Sequence, residues 1–199
     1  MLTKLLRATA ILIATASPAL HAGPQLYEPL SAQVRAGLAA AISDSPAPRH
    51  GFADAVEAAD WLYEMSVRLE RRLSDYRTRL DFLRTVHYEA TRAGLDPQLV
   101  LALIQIESNF RKYAVSTAGA RGYMQVMPFW VKLIGRENDN LFNLRNNHRY
   151  GCVILKHYLE VEKGDLTRAL ARYNGSLGKT EYPNLVYTAW RLNWAYTAK

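Results

Sequence analysis

The hydrophobic positions of the chain recur at helical spacing over most of its length, and the pattern is clearest between residues 96 and 108. Leu99, Val100, Leu103 and Ile104 fall at the three- and four-residue spacings that line one face of a helix. The pattern therefore predicts a helix over this stretch whose apolar face is buried.

Glu107 continues this apolar stripe, since it follows Ile104 by three positions and Leu103 by four. A carboxylate at the end of a buried stripe is costly unless it is paired, hydrogen-bonded or protonated. Burial raises a carboxyl pKa, which is the condition that a general acid needs near neutral pH. Glu107 is therefore a candidate catalytic acid; the alternatives are a side chain turned to water or one held by Arg111.

The same spacing predicts further helices on both sides. The long charged stretch 53–94 predicts two helices, or one that bends near Ser74. Gly94 suits the position after its last turn, and Asp96-Pro97 suits the N-cap and first turn of the next helix. The other predicted helices cover 31–43, a short stretch that begins after Gly122 and passes Pro128 with local distortion, 146–160, 164–173, and Pro183 to about Tyr196.

The resulting fold class is mainly α. No convincing alternating strand pattern occurs, although a short hairpin fits residues 113–123. Pro46, Pro48 and Gly51 break helical periodicity and predict a linker.

The first 22 residues have the layout of a secretory signal peptide. Lys4 and Arg7 precede the small and apolar run 8–16, and small residues near Ala22 suit cleavage. The alternative is an uncleaved N-terminal anchor. We expect an exported, periplasmic protein with no transmembrane span in its mature form, because no other stretch is apolar enough to cross a bilayer.

Composition and charge limit the classes of partner and of site that the chain can be expected to have. A chain that is 49% hydrophobic and 22% charged is typical of one globular domain. Its net charge of +7 falls to +5 without residues 1–22, which favours attraction to anionic envelope polymers, or merely aids solubility. No basic run is interleaved with aromatics, so nucleic acid is not an expected partner. The dispersed histidines predict no metal site, and the single cysteine, Cys152, excludes an internal disulfide and predicts a buried, inert thiol.

Two polar stretches follow Glu107. The first contains Ser116, Gln125 and Met127 between glycines that permit positive φ or close approach of a ligand to the backbone. The second, ARYNGSLGKTEYP at 171–183, combines aromatic, amide and glycine residues before another helix. Phenol and carboxamide groups near a protonated carboxyl are plausible parts of a carbohydrate site.

Three motifs together carry a resemblance to a known family. Glu107-Ser108, then GYMQVMP at 122–128, then Arg172-Tyr173-Asn174 resemble the signature motifs of the soluble-type lytic transglycosylases, glycoside hydrolase family 23. Their order and the Glu-to-Gln spacing match, as does the intervening Ser116…Gly119-Ala120 segment, and the resemblance covers about residues 82–190. The departures are Tyr123, where the family usually has Leu, and Gly175-Ser176, where it has a small residue followed by glycine.

The resemblance implies a lysozyme-like (goose-type/SLT) helical domain over 76–199, with a helical extension of unknown role over 23–75. It implies cleavage of the β-1,4 bond between N-acetylmuramic acid and N-acetylglucosamine in peptidoglycan, with a 1,6-anhydro product and no cofactor. Glu107 would act as acid and then as base. The other residues that it implicates are Ser116 and Gln125 at sugar acetamido groups, Met127 along the groove, Tyr173 as a hydrogen-bond partner of Glu107, and Asn174 in the turn.

The sequence leaves three alternatives open. A goose-type lysozyme-like hydrolase would need a second carboxylate to activate water, for which Glu137, Asp139 and Glu181 are candidates. A non-catalytic peptidoglycan-binding protein would have no need of Glu107. A specialised enzyme could serve an envelope or secretion apparatus, with residues 23–75 either docking to it or packing on the catalytic domain.

Overall fold

The computed structural model describes residues 25–43 and 55–197. The predicted signal peptide and the predicted linker around Pro46 lie outside these residues. The described part contains eight α-helices, which confirms the mainly α class. They are α1 (Ala32–Ile42), α2 (Ala55–Leu69), α3 (Tyr76–Arg92), α4 (Pro97–Ser108), α5 (Phe129–Ile134), α6 (Leu144–Val161), α7 (Leu166–Asn174) and α8 (Glu181–Ala189), and a π-helical turn, Trp190–Trp194, follows α8.

The predicted boundaries around α3 and α4 are confirmed. The 53–94 stretch forms two helices, and Asp75 caps the second by accepting a 2.8 Å hydrogen bond from Thr78 N. Gly94 has a φ of +70° after the last turn of α3. Asp96 caps α4 by accepting a 2.6 Å hydrogen bond from Gln98 N.

The predicted helix from Gly122 past Pro128 is wrong. Residues 122–125 form turns, Val126 pairs with Arg121 in an isolated bridge, and α5 begins only at Phe129. Gln125 has a left-handed φ of +48°, and Pro128 lacks the N–H group that a helix interior requires. The predicted hairpin near 113–123 is present only as two isolated antiparallel bridges, in which Arg121 pairs with Val115 and with Val126.

The apolar helix α4 forms the centre of the core. It packs against α3, α8 and the π-helical turn, while α6 packs against α3 and α7. Leu38 of α1 and Trp61 of α2 belong to the same hydrophobic core, so the helices of the N-terminal extension pack on the rest of the chain. The domain boundary at residue 76 stays a prediction. Within the described ranges, no helix combines the length and the apolar character that crossing a membrane requires.

Candidate active site

Glu107 lies in the last turn of α4, which ends where Asn109 and Phe110 adopt positive φ values of +48° and +63°. Its side chain is only 5% exposed, so it is not turned to water. Arg111 does not hold it, because the Arg111 Nε donates instead to the Ser108 backbone oxygen at 2.9 Å. Both structural alternatives for Glu107 are therefore wrong.

The hydrogen-bond partner of Glu107 is Tyr182, which was not predicted from the sequence. The Tyr182 hydroxyl donates to Glu107 Oε1. Tyr182 lies in the first turn of α8, and the packing of α8 against α4 brings the two side chains together. The only signal in the sequence was that Tyr182 belongs to the aromatic and amide stretch at 171–183.

The pKa of Glu107 is raised from 4.5 to about 8, because burial disfavours its charged form. The hydrogen bond from Tyr182 acts in the opposite direction, since it stabilises the carboxylate. The effect of burial on the pKa is larger than that of the hydrogen bond, so Glu107 is protonated at neutral pH. The arrangement can therefore donate a proton to a bound substrate.

The predicted hydrogen bond between Tyr173 and Glu107 is wrong. The Tyr173 hydroxyl donates to the backbone oxygen of Met124 at 2.7 Å. Met124 lies in the turn segment, where its carbonyl lacks the donor that a helix would provide. Burial, and then the charge of Glu107, raise the pKa of Tyr173 well above its usual range.

Ser116 and Gln125 hold the loop that follows α4. Ser116 Oγ accepts a 3.1 Å hydrogen bond from Ala120 N. Gln125 is buried, and its Nε2 donates to the backbone oxygens of Ala114 at 3.2 Å and Gly122 at 2.9 Å. The side chains are thus engaged within the loop, and their predicted contact with sugar acetamido groups stays a prediction.

Asn147 of α6 is a second structural determinant that was not predicted from the sequence. Its Oδ1 accepts a 2.8 Å hydrogen bond from Met124 N, and its Nδ2 donates to Leu141 O at 2.8 Å and Arg121 O at 2.9 Å. Gly122 lies so close that a Cβ there would stand 2.4 Å from Asn147 Nδ2. The segment 122–127, here called the signature turn, is therefore fixed from α6.

Met127 and Asn174 take different positions. Met127 is half-buried, and its backbone N donates to Gln25 Oε1 at 3.2 Å. Asn174 is buried at the end of α7, and its Nδ2 has no hydrogen-bond partner among the described residues. The predicted role of Asn174 in fixing the turn is not tested by these contacts.

The two departures from the family motifs serve packing and helix termination. Tyr123 is buried, with its ring centroid 5.0 Å from Phe82 and 5.4 Å from His148. Gly175 ends α7 at a φ of +78°, and Ser176 N donates to the backbone oxygen of Ala171 at 2.8 Å. Tyr123 is therefore part of the core.

The candidate second carboxylates differ in their surroundings. Asp139 accepts a 2.6 Å hydrogen bond from the Tyr150 hydroxyl, and Glu181 is exposed at the start of α8. Glu137 borders a cavity of about 670 Å³ together with Asp139 and Lys132.

Over the ranges that the structure describes, no three His, Cys, Asp or Glu residues are grouped to hold a metal ion. Cys152 is buried, as predicted, and burial raises the pKa of its thiol well above the usual range.

Comparison with known families agrees with this geometry. Residues 84–186, about half of the chain, match the family described as the transglycosylase SLT domain. The chain belongs to this family. The matched range includes the acid, the signature turn and Tyr182.

Curated relatives carry related names. The chain is 30% identical over 103 residues to a transglycosylase of Enterobacteria phage PRD1, covering 52% of this chain and 38% of the relative. It is 32% identical over 113 residues to the membrane-bound lytic murein transglycosylase C of Photorhabdus laumondii, and 33% identical to that of Yersinia pestis. These matches cover 49% of this chain and 32% of each murein transglycosylase, so the chain spans about a third of the length of these relatives.

Proposed function

We propose that the chain is a peptidoglycan lytic transglycosylase. It cleaves the β-1,4 bond between N-acetylmuramic acid and N-acetylglucosamine and forms 1,6-anhydromuramoyl products. The observation that carries this proposal is the buried Glu107 carboxyl, whose raised pKa of about 8 keeps it protonated at neutral pH. Such a group can protonate the glycosidic oxygen while the bond to the anomeric carbon breaks.

The second half of the reaction uses the same side chain. Once it has given up its proton, the Glu107 carboxylate accepts the proton of the muramoyl C6 hydroxyl, and that oxygen attacks the anomeric carbon. The 1,6-anhydro ring closes, no water enters, and Glu107 is again protonated. The N-acetyl group of the substrate stabilises the positive charge at the anomeric carbon in the interval, which makes a second protein carboxylate unnecessary.

The surroundings of Glu107 favour this single-carboxylate scheme over a goose-type hydrolase. Its side-chain partner is the phenol Tyr182, and the pKa of Glu107 is set by burial and by that phenol. Asp139, one candidate for activating water, is engaged by the Tyr150 hydroxyl.

We infer that Ser116 and Gln125 act mainly by shaping the loop, while the half-buried Met127 lines the glycan groove beside Tyr173 and Asn174.

We propose a periplasmic or envelope location, where the substrate occurs. The signal-peptide pattern of residues 1–22 and the similarity to proteins named as membrane-bound murein transglycosylases support it. The net positive charge would favour contact with anionic envelope polymers. An envelope or secretion apparatus is the further partner that this location provides, with the N-terminal extension as the surface to test.

The proposal is tested by incubating purified peptidoglycan with the chain and with the variants Glu107→Gln and Glu160→Gln. Glu160 is a matched control, because it is an exposed glutamate on α6 whose partner is Lys156 at 3.5 Å. We expect release of soluble fragments to fall by about a hundredfold or more for Glu107→Gln and to be unchanged for Glu160→Gln. Retention of glycan without release by the wild-type chain would support the non-catalytic binding alternative.

A further inference from the structure

Residues 25–30, here called the N-terminal strap, lie against the candidate active site. The strap precedes α1 and forms neither helix nor strand. It contacts the end of the signature turn through Gln25, the start of α5 through Tyr27, and α7 through Glu28. A segment almost 80 positions before Glu107 in the sequence therefore reaches the elements that surround the acid.

Gln25 is the innermost residue of the strap. Its side chain is 3% exposed, its Oε1 accepts the 3.2 Å hydrogen bond from Met127 N, and its carboxamide lies beside the Tyr173 phenol. Its Nε2 is buried and makes no geometrically well-formed hydrogen bond in the described part of the chain, although its donation toward the Tyr173 phenol acts to lower the pKa of that group. A buried amide N–H group that is poorly paired is costly, which favours its displacement by a better-matched group.

The chemistry of Gln25 resembles that of the proposed substrate. A glutamine carboxamide presents a carbonyl acceptor and an N–H donor side by side, as does the N-acetyl group on each peptidoglycan sugar. The Met127 N–H that binds the Gln25 carbonyl can equally bind an acetamido carbonyl. The strap thus places an acetamide-like group on a backbone donor of the signature turn.

The remaining contacts hold the strap only weakly. Glu28 is 45% exposed and pairs with Arg172 Nη1 at 2.5 Å. Tyr27 is 61% exposed and meets Phe129 edge-on with 5.7 Å between ring centroids. Only the Glu28 side of this pair is exposed, and the mostly buried Arg172 keeps a second partner, Glu162, when Glu28 leaves. Leu30 packs on the core at the far end of the strap, so the first residues can lift while the rest stays attached.

We propose that the N-terminal strap is a displaceable internal competitor, in which the Gln25 carboxamide occupies an acetamido-binding position that a glycan strand must take over before it is cleaved. This inference rests on the proposed function for the nature of the substrate. A strand has to displace the strap in order to bind, so its apparent affinity is reduced by the fraction of molecules in which the strap is closed.

The test measures binding in the Glu107→Gln background, where no cleavage occurs, with a tetramer of β-1,4-linked N-acetylglucosamine as the probe. We expect Gln25→Ala to lower the dissociation constant by about three- to tenfold and Glu28→Gln to lower it by about two- to fivefold. Leu26→Ala is the matched control, because Leu26 is 56% exposed in the same strap, and it should leave the constant unchanged. An unchanged or higher constant for Gln25→Ala, or no binding by any variant, would overturn the proposal.

Kinetics with intact Glu107 provide the second readout. Gln25→Ala should lower KM for peptidoglycan and leave kcat unchanged, since removal of a competitor affects only binding. A fall in kcat, or a rise in KM, would mean that Gln25 belongs to the substrate site and would overturn the proposal. The binding result tests the strap proposal separately from the proposed function. If Gln25→Ala binds the tetramer more tightly but the wild-type chain does not cleave peptidoglycan, the transglycosylase proposal is refuted and the strap proposal is supported.

Discussion

The Tyr182 hydroxyl donates a hydrogen bond to the Glu107 carboxyl across 75 positions of sequence. The bond joins the first turn of α8 to the last turn of α4, so the packing of these two helices fixes the acid. It also limits the rise of the Glu107 pKa, because donation from a phenol favours the carboxylate over the neutral acid. Tyr182 therefore both positions the proton donor and adjusts its proton affinity.

Tyr182→Phe should lower kcat by roughly ten- to a hundredfold, because the carboxyl loses the partner that orients it. The basic limb of the pH profile should move upward from about pH 8, since the group that lowers the Glu107 pKa is removed. The matched control is Tyr187→Phe, because Tyr187 lies on the same helix and its hydroxyl contacts Thr167 at 3.2 Å. A Tyr182→Phe profile with an unmoved basic limb would contradict this role.

Glu107 should make the stability of the fold depend on pH. Its pKa is about 8 in the folded chain against an ordinary value of 4.5, so the folded state binds the proton more tightly than the unfolded state. This contribution to stability is full below pH 4.5 and is lost as the pH rises to about 8. Its size is roughly 3–5 kcal/mol over that window.

Urea unfolding of the wild-type chain and of Glu107→Gln at pH 5 and pH 9 measures this effect. The variant cannot ionise at position 107, so it should gain stability relative to wild type as the pH rises. Equal pH dependence of the two proteins would show that Glu107 titrates near its ordinary value and would remove the basis for its role as an acid.

Tyr173→Phe separates the observed hydrogen bond from the one that the sequence predicted. The change leaves the Met124 carbonyl without its donor and should cost about 1–2 kcal/mol of unfolding free energy. The basic limb of the pH profile should stay in place, because Tyr173 does not donate to Glu107. A shift as large as that of Tyr182→Phe would restore the original prediction.

Gly122→Ala should destabilise the signature turn by about 3 kcal/mol or more. Position 122 has a φ of +76°, and a Cβ would stand 2.4 Å from Asn147 Nδ2 and 2.6 Å from the Leu141 backbone oxygen. Gly119→Ala is the control, because φ there is +89° but no atom lies within 4 Å of the added Cβ. It should cost about 1–2 kcal/mol, and thermal unfolding of both variants would show the difference. Equal losses would mean that backbone conformation alone explains the glycine.

The sequence predicted those features that depend on interactions between residues close together in the chain. The apolar stripe and the Asp96-Pro97 start defined α4, and the carboxylate at the end of that stripe predicted that Glu107 is buried. These signals are local because helix formation and capping depend on neighbours within about four residues. The long stretch before α4 divided into two helices for the same reason.

The predictions from the sequence were wrong where contacts between residues far apart in the chain determine the structure. Tyr182 replaced Tyr173 as the partner of Glu107 because the α4–α8 contact brings it within reach, and residue spacing cannot distinguish the two phenols. The segment 122–127 is held in a non-helical conformation partly by Asn147, from a distant helix, which binds the backbone of Arg121 and Met124. The approach of Gln25 to Met127 had no signal in the sequence at all.

The most direct test of the central claim is mass spectrometry of the fragments released from purified peptidoglycan in water enriched in ¹⁸O. The proposed mechanism predicts 1,6-anhydromuramoyl ends, one water lighter than reducing ends and free of ¹⁸O, and none of them from Glu107→Gln. Reducing ends that carry ¹⁸O would show that water attacks the anomeric carbon, and they would contradict the account by assigning the chain to the lysozyme-like hydrolases.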